Sequence, residues 1–517
     1  MIRSFLFSKG ASVSISSIFS LLRKGSSVAG HNLGVQNLRS EFESVRLPIE
    51  GRLPNWLSGD LVRNGPGQFD VGGKTLNHWF DGFSAVHRFA FSNGEVSYSC
   101  KFLQSQAFIK ARESKKISSV EFGTKRAMGL IDRIKNIFQA ELSDNSNGSI
   151  ICLDGRWLAL TETPHVQEFN LANLNTVGPV IFDDNVQFHV TTAHPQWDFD
   201  EAAIYNVTVT FGRTCSYQLV KQLAGEKRRR VVSRIDSPAP AYLHSFGMTK
   251  KYAIICEHPL RLSFPELIFS GKPYIECYHW RDQVPTNFIV VSKESGEVVR
   301  RFEGEPGFSF HKINAFDREG EIVLDLISYP DSKMIEVLYL RNMREDKPEL
   351  VGQARRFCFN LNSGKMTSEP LAESGLEFPQ INYRARSGKQ YDYCYGSGTT
   401  SMMSDNITSA DFLNALRKID INTGATKLWT EAGCYPGEPV FVPRPDAAAW
   451  REDDGVLLSI VLDVPNERSF LLVLDAATMQ EMARLVLPQP VPFTFHGLFV
   501  GKENESTIGA NHSEKMT

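Results

Sequence analysis

The 517-residue chain is 42% hydrophobic and 22% charged, enough apolar material for a large core and, by length alone, for about three domains. Its net charge of -3 and pI near 6.5 leave no basic surplus to neutralise phosphates, which argues against nucleic acid as a partner. Eight cysteines without a CxxC pair indicate neither a thiolate metal site nor a disulfide framework, and no run of about 18 to 20 apolar residues is present to span a membrane.

Residues 1–40 hold Arg3, Lys9, Arg23, Lys24 and Arg39, many serines and no acidic residue. That composition fits a mitochondrial transit peptide or a disordered extension, and the moderately apolar Ala11–Leu22 stretch leaves a weak secretory signal open. The expected organisation is an N-terminal extension over 1–40, one domain over 41–503 and a tail over 504–517. Lys110 to Lys135 carries eight Lys/Arg against three acidic residues with Phe and Ile interleaved, the pattern of a helix lying on a surface, or of a solvated lid.

From residue 89 onward one pattern recurs: a β-rich run, a polar turn with Gly, Asn, Asp or Thr, then another β-rich run. Instances start at Phe89, Phe169, Tyr217, Val291, Phe359, Ile419 and Leu474, and long amphipathic helices are scarce between them. Roughly 20 to 25 residues after the start of each hairpin from Phe169 on, a His or Glu stands in a short strand-like segment. With Glu162 placed ahead, the series is Glu162, His194, His244, His311, Glu377, Glu438 and His496. Most gaps are long enough for a four-stranded blade, so the fold class is all-β and the architecture a seven-bladed β-propeller with one polar residue per blade facing the axis.

A single histidine in a β-protein is more often a core or surface residue than a ligand. Here Thr192-Ala193-His194-Pro195, Leu243-His244-Ser245, Phe310-His311-Lys312 and Phe495-His496-Gly497 each set an imidazole in an apolar, strand-like context, where a buried ring nitrogen needs a partner. Four imidazoles suit Fe, Cu, Ni or Zn, and the lack of thiolates argues against structural zinc. Four neutral ligands leave a divalent charge uncompensated. Glu162, Glu377 and Glu438 are therefore expected to accept hydrogen bonds from the ligands' other ring N–H groups, leaving one His without a carboxylate.

Leu61-Val62-Arg63-Asn64-Gly65-Pro66-Gly67, His78-Trp79-Phe80-Asp81-Gly82, Leu376 to Asn382, and Gly437 to Pro443 with the four His contexts resemble the carotenoid cleavage oxygenases over most of residues 40–500. The resemblance implies a seven-bladed propeller with a helical cap over one face. It implies one Fe(2+) per subunit on four histidines backed by three glutamates, with O2 as co-substrate. The expected activity is cleavage of a C=C bond of a carotenoid or apocarotenoid to two carbonyl products. A retinyl-ester isomerohydrolase and a non-catalytic carotenoid-binding propeller are the alternatives. Phe102, Phe310 and Phe495 are candidate tunnel residues, with ordinary core packing as the plain alternative. Leu262–Phe269 matches a membrane-facing region of animal relatives, so peripheral membrane contact is expected in a cytoplasmic or mitochondrial protein. Where animal members often carry Pro-Asp-Pro-Cys-Lys this chain has Ala127–Asp132, which weakens the isomerohydrolase alternative.

Overall fold

The computed structural model describes residues 30–117, 119–125, 142–212, 214–345, 351–402, 412–448 and 451–502. Residues 1–29 of the expected extension, Ala127–Asp132, residues 126–135 of the basic stretch and the tail 504–517 lie outside them.

Turn chemistry builds the sheets. Asn93 and Gly94 take φ of 54° and 76°, the paired left-handed conformations of a two-residue hairpin, and join Phe83–Ser92 to Glu95–Phe102 with Ser92 opposite Glu95. Gly296 turns Thr286–Ser292 into Val298–Gly304 at φ 73°, where a Cβ would lie 2.0 Å from the Val232 carbonyl oxygen, so only glycine fits. All the hairpins read from the sequence are antiparallel pairs.

The resulting sheets have four to seven strands, with two small two-stranded ribbons besides. The seven-stranded path runs through the long strand Met366–Gln380, whose register breaks after Ser374 and again after Glu377. Its first part pairs with Gln353–Asn360 and its second with Tyr393–Met402. Inner strands are sandwiched on both faces: Gly455–Asp463 is buried at every position, whereas the outer strand Val298–Gly304 is largely exposed. That is why central strands read as continuous apolar runs with no alternation.

Successive sheets share apolar cores. Tyr205 and Leu219 pack against Ile255 and Ile289 of the next sheet, and Ile254 and Val290 pack against Leu324 and Phe359 of the one after. Leu416 meets Leu457 and Leu472, and the sheet of Leu458 and Val473 packs in turn on Phe89 and Tyr98, near the start of the chain. The two ends of the fold are also joined by hydrogen bonds. Gly59–Gln68 pairs with Gly497–Gly501, setting Arg63 opposite Gly497, and Ile49–Gly51 pairs with Glu481–Val486.

Two expectations are corrected. Residues 30–40 are packed on the folded body: Gly34 accepts from the Phe493 N–H at 2.8 Å, Val35 is fully buried, and Gln489 Nε2 donates to the Ser40 carbonyl at 2.8 Å. The basic stretch from Lys110 is not one helix. Gln106–Ser114 is helical, Lys115 stops it in the left-handed region at φ 54°, and 119–125 run on without helix. Among the described residues no helix is long and apolar enough to cross a membrane. The helix Phe264–Phe269 buries none of its residues, and Phe269 is 72% exposed.

Candidate metal centre

The sheet ends bring the predicted histidines together. His311 and His496 stand immediately before Lys312–Arg318 and Gly497–Gly501, His244 three residues before Gly247–Met248, and His194 between Val190–Thr191 and Gln196–Asp198. Lys312–Arg318, Gly497–Gly501, Gly247–Met248 and Val190–Thr191 are each an end strand of their sheet. One ring nitrogen from each histidine falls within 4.8 Å of those of the other three. Glu377 lies at the register break of Met366–Gln380 and Glu438 between Cys434–Pro436 and Val440–Pro443. Glu162 departs from the expected pattern. It lies in the connection after Arg156–Leu160, while the end strand of its sheet, Ser149–Leu153, carries no such residue.

Three imidazoles are oriented by carboxylates. Nδ1 of His244 meets Glu162 Oε1 at 2.6 Å, Nδ1 of His311 meets Glu377 Oε2 at 2.5 Å, and Nδ1 of His496 meets Glu438 Oε1 at 2.7 Å. Among the described residues His194 has no carboxylate of this kind; its backbone N–H donates to Thr192 Oγ1 at 3.4 Å. With Nδ1–H spent on a glutamate, Nε2 of the other three presents its lone pair. His311 Nε2 is buried and takes no hydrogen bond among the described residues, and Nε2 of His194 and His244 face each other at 3.1 Å.

Electrostatics favour neutral rings. Burial, reinforced by the neighbouring imidazoles, holds His194 and His244 well below the ordinary histidine value, and burial lowers His496 despite the opposing pull of Glu438. The carboxylates differ. Burial raises Glu377 and Glu438, but His311, Tyr329 and the Phe378 N–H outweigh it at Glu377, and His496, Arg63 and Gln380 at Glu438, so both end below the usual range. Glu162 is pushed up to about 8 by burial, with only the Tyr242 hydroxyl opposing.

All four histidines share the wall of one cavity with Trp79, Phe80, Phe122, Phe310, Phe378 and Phe495. Phe310 and Phe495, two of the candidate tunnel residues, line this cavity. Phe102 does not: at the end of Glu95–Phe102 its ring stacks on Phe108 of the helix Gln106–Ser114, 5.0 Å between centroids, and it is absent from the cavity wall. Several partners escaped sequence reasoning. Arg63 donates to Glu438 Oε2 at 2.5 Å, to the Phe495 carbonyl at 2.8 Å and to Thr494 Oγ1 at 3.0 Å, while Tyr242 and Tyr329 donate to Glu162 and Glu377 at 2.7 Å each. An arginine directly after the apolar pair Leu61–Val62 was the one available signal.

The donor set fits a divalent metal: four convergent imidazoles, three of them backed by carboxylates, suit a borderline ion and leave it open positions. Comparison with known proteins agrees. The retinal pigment epithelial membrane protein family matches residues 35–501. The mitochondrial carotenoid-cleaving dioxygenase of Homo sapiens is 33% identical over 521 residues, covering 87% of each chain. The carotenoid isomerooxygenase of Galleria mellonella is 34% identical over 507 residues, covering 90% of this chain and 96% of its own. Cobalt-substituted Synechocystis apocarotenoid oxygenase superposes with a TM-score of 0.80 at 28% identity, over 91% of this chain and 98% of its own. The chain therefore belongs to the retinal pigment epithelial membrane protein family of carotenoid oxygenases.

Proposed function

We propose that this protein is a non-haem iron(II) dioxygenase that cleaves one C=C bond of a carotenoid or apocarotenoid, each alkene carbon leaving as a carbonyl with one oxygen atom of O2. The observation that carries the reading is that four imidazoles converge in the wall of an aromatic-rich cavity. His194, His244, His311 and His496 would hold the iron, and Glu162, Glu377 and Glu438 would fix the tautomer and direction of three of them. When bound, iron(II) supplies the one-electron chemistry by which O2 reacts with an alkene. The chain's own contribution is positional. Phe310 and Phe495 flank two ligands and would press a polyene past the centre, so that the cavity's shape selects the bond that reacts.

The architecture that best accommodates these sheets is a seven-bladed propeller, 41–503 forming one domain on which residues 30–40 also pack. The seven-stranded path then divides at Met366–Gln380 into two blades, and each blade contributes one residue of the Glu162-to-His496 series. The short helices Gln106–Ser114, Lys333–Val337 and Leu340–Arg344 pack in the same apolar cluster as Trp79, Phe310 and Phe378, as a cap over the site would. Exposed Phe269, with the unburied helix around it, supports peripheral contact with the membrane that dissolves the pigment. The name of the human relative makes a mitochondrial location the reading to test first.

The test is incubation of the iron-loaded protein with β-carotene under air and under nitrogen, followed by chromatography. Oxygen-dependent carbonyl products support the proposal. Pigment recovered unchanged under air, from protein with full iron occupancy, would overturn it.

A further inference from the structure

The wall that carries the histidines also carries a carboxyl the centre does not use. Glu121 is 6% exposed. Its Oε1 accepts from the hydroxyls of Ser119 at 2.5 Å and Ser143 at 2.7 Å, while Oε2 takes no hydrogen bond among the described residues. Glu121 lines the same cavity as the four histidines, so its unbonded oxygen belongs to a side chain in that wall.

Neighbouring Asp81 shows what a purely structural buried carboxyl looks like in this region. It lies under the same segment and uses both oxygens, Oδ1 on the Gly123 N–H at 2.8 Å and Oδ2 on the His78 N–H at 2.9 Å and the Thr124 hydroxyl at 2.6 Å. Leaving one oxygen of Glu121 unpaired against aromatic walls has a cost that a ligand would remove. The segment is held in place: Glu121 N–H donates to the Thr124 carbonyl at 3.1 Å, and the Phe122 ring packs on Phe80 at 5.1 Å. Burial pushes the carboxyl up to about 8, so at neutral pH it is protonated and donates as well as accepts.

We propose that Glu121 anchors an oxygen-bearing end group, hydroxyl or aldehyde, of a polyene in the cavity, and so favours oxygenated over hydrocarbon carotenoids. This rests on the reading of the cavity as a polyene site. A hydrocarbon end offers Oε2 nothing, whereas a hydroxyl or aldehyde completes its hydrogen bonding without exposing it to water.

The test measures binding and cleavage separately. β-Carotene and its ring-dihydroxylated derivative, in the same detergent, are titrated into metal-loaded wild type, Glu121→Leu and Glu121→Gln, with tryptophan fluorescence, to which Trp79 in the wall contributes, as the readout. The wild type is expected to prefer the dihydroxylated pigment by about 10-fold in Kd, one good hydrogen bond's worth. Glu121→Leu should bring that ratio to about one, and Glu121→Gln, which keeps a donor and an acceptor, should retain most of it. A ratio unchanged in Glu121→Leu, or absent in the wild type, overturns the anchor. The ratio is internal to each variant, so partial misfolding does not imitate the effect. Selective binding without cleavage of either pigment would overturn the dioxygenase reading and leave the anchor standing.

Discussion

Glu438 and Glu162 each accept the Nδ1–H of one histidine, yet they are built differently. Glu438 sits between two strands of an end pair and meets four donors, His496, Gln380, Arg63 and the Gly497 N–H. Glu162 hangs in a connection and meets two, His244 and Tyr242. The first is locked by a cation that is itself 1% exposed; the second has no cation beside it among the described residues, and burial pushes it up to about 8. The lesson is that one role, holding an imidazole in one tautomer, has been met once by a rigid network and once by a minimal contact. The two sides of the centre should therefore respond unequally to damage.

The harshest way to sharpen that contrast is to remove a ligand. His311→Ala should abolish metal retention and turnover while the far-ultraviolet circular dichroism stays that of the wild type; metal at wild-type stoichiometry would take His311 out of the centre. Next comes the cation under the rigid side. Arg63→Ala leaves Glu438 as a buried charge without its partner, and denaturant unfolding should show a loss of about 3 to 5 kcal/mol. A loss under about 1 kcal/mol, the scale of an exposed pair, would mean Glu438 is not locked at all. Smallest and most direct are the three carboxyl groups behind the histidines. Glu438→Gln and Glu377→Gln should weaken metal retention toward the upper end of the roughly 10- to 100-fold usual for such supports, and Glu162→Gln toward the lower end, measured by competition with a chelator. Equal losses at all three would dissolve the distinction.

Much of this was legible in the sequence because it is locally encoded. A turn such as Asn93-Gly94 carries its own conformational instruction, and the apolar settings of His194, His244, His311 and His496 recur at blade-like spacing. What escaped is what depends on direction across sequence distance. Arg63 and Glu438 are 375 positions apart, Tyr242 and Glu162 are 80 apart, and no periodicity says that they touch. Phe102 shows the opposite failure: its neighbours looked right, but its place at a strand's end turned its ring onto Phe108 and away from the cavity. The expected helix from Lys110 failed at one backbone position, Lys115, whose left-handed φ charge patterning does not report. Glu162 was found by number, although its sheet delivers it from a connection and not from the end strand.

The pairing of Gly59–Gln68 with Gly497–Gly501 has a consequence for how the protein matures. Contacts between positions more than 400 apart, such as Asp60 with Val500, can form only after nearly the whole chain has left the ribosome, and loop-closure entropy makes them late. His496 immediately precedes that strand. The fourth imidazole is thus delivered by the same step that adds the last strand to the first sheet. A shortened or unfinished polypeptide can gather three of these histidines but not the full set, so the complete cluster forms only once synthesis and closure are both finished.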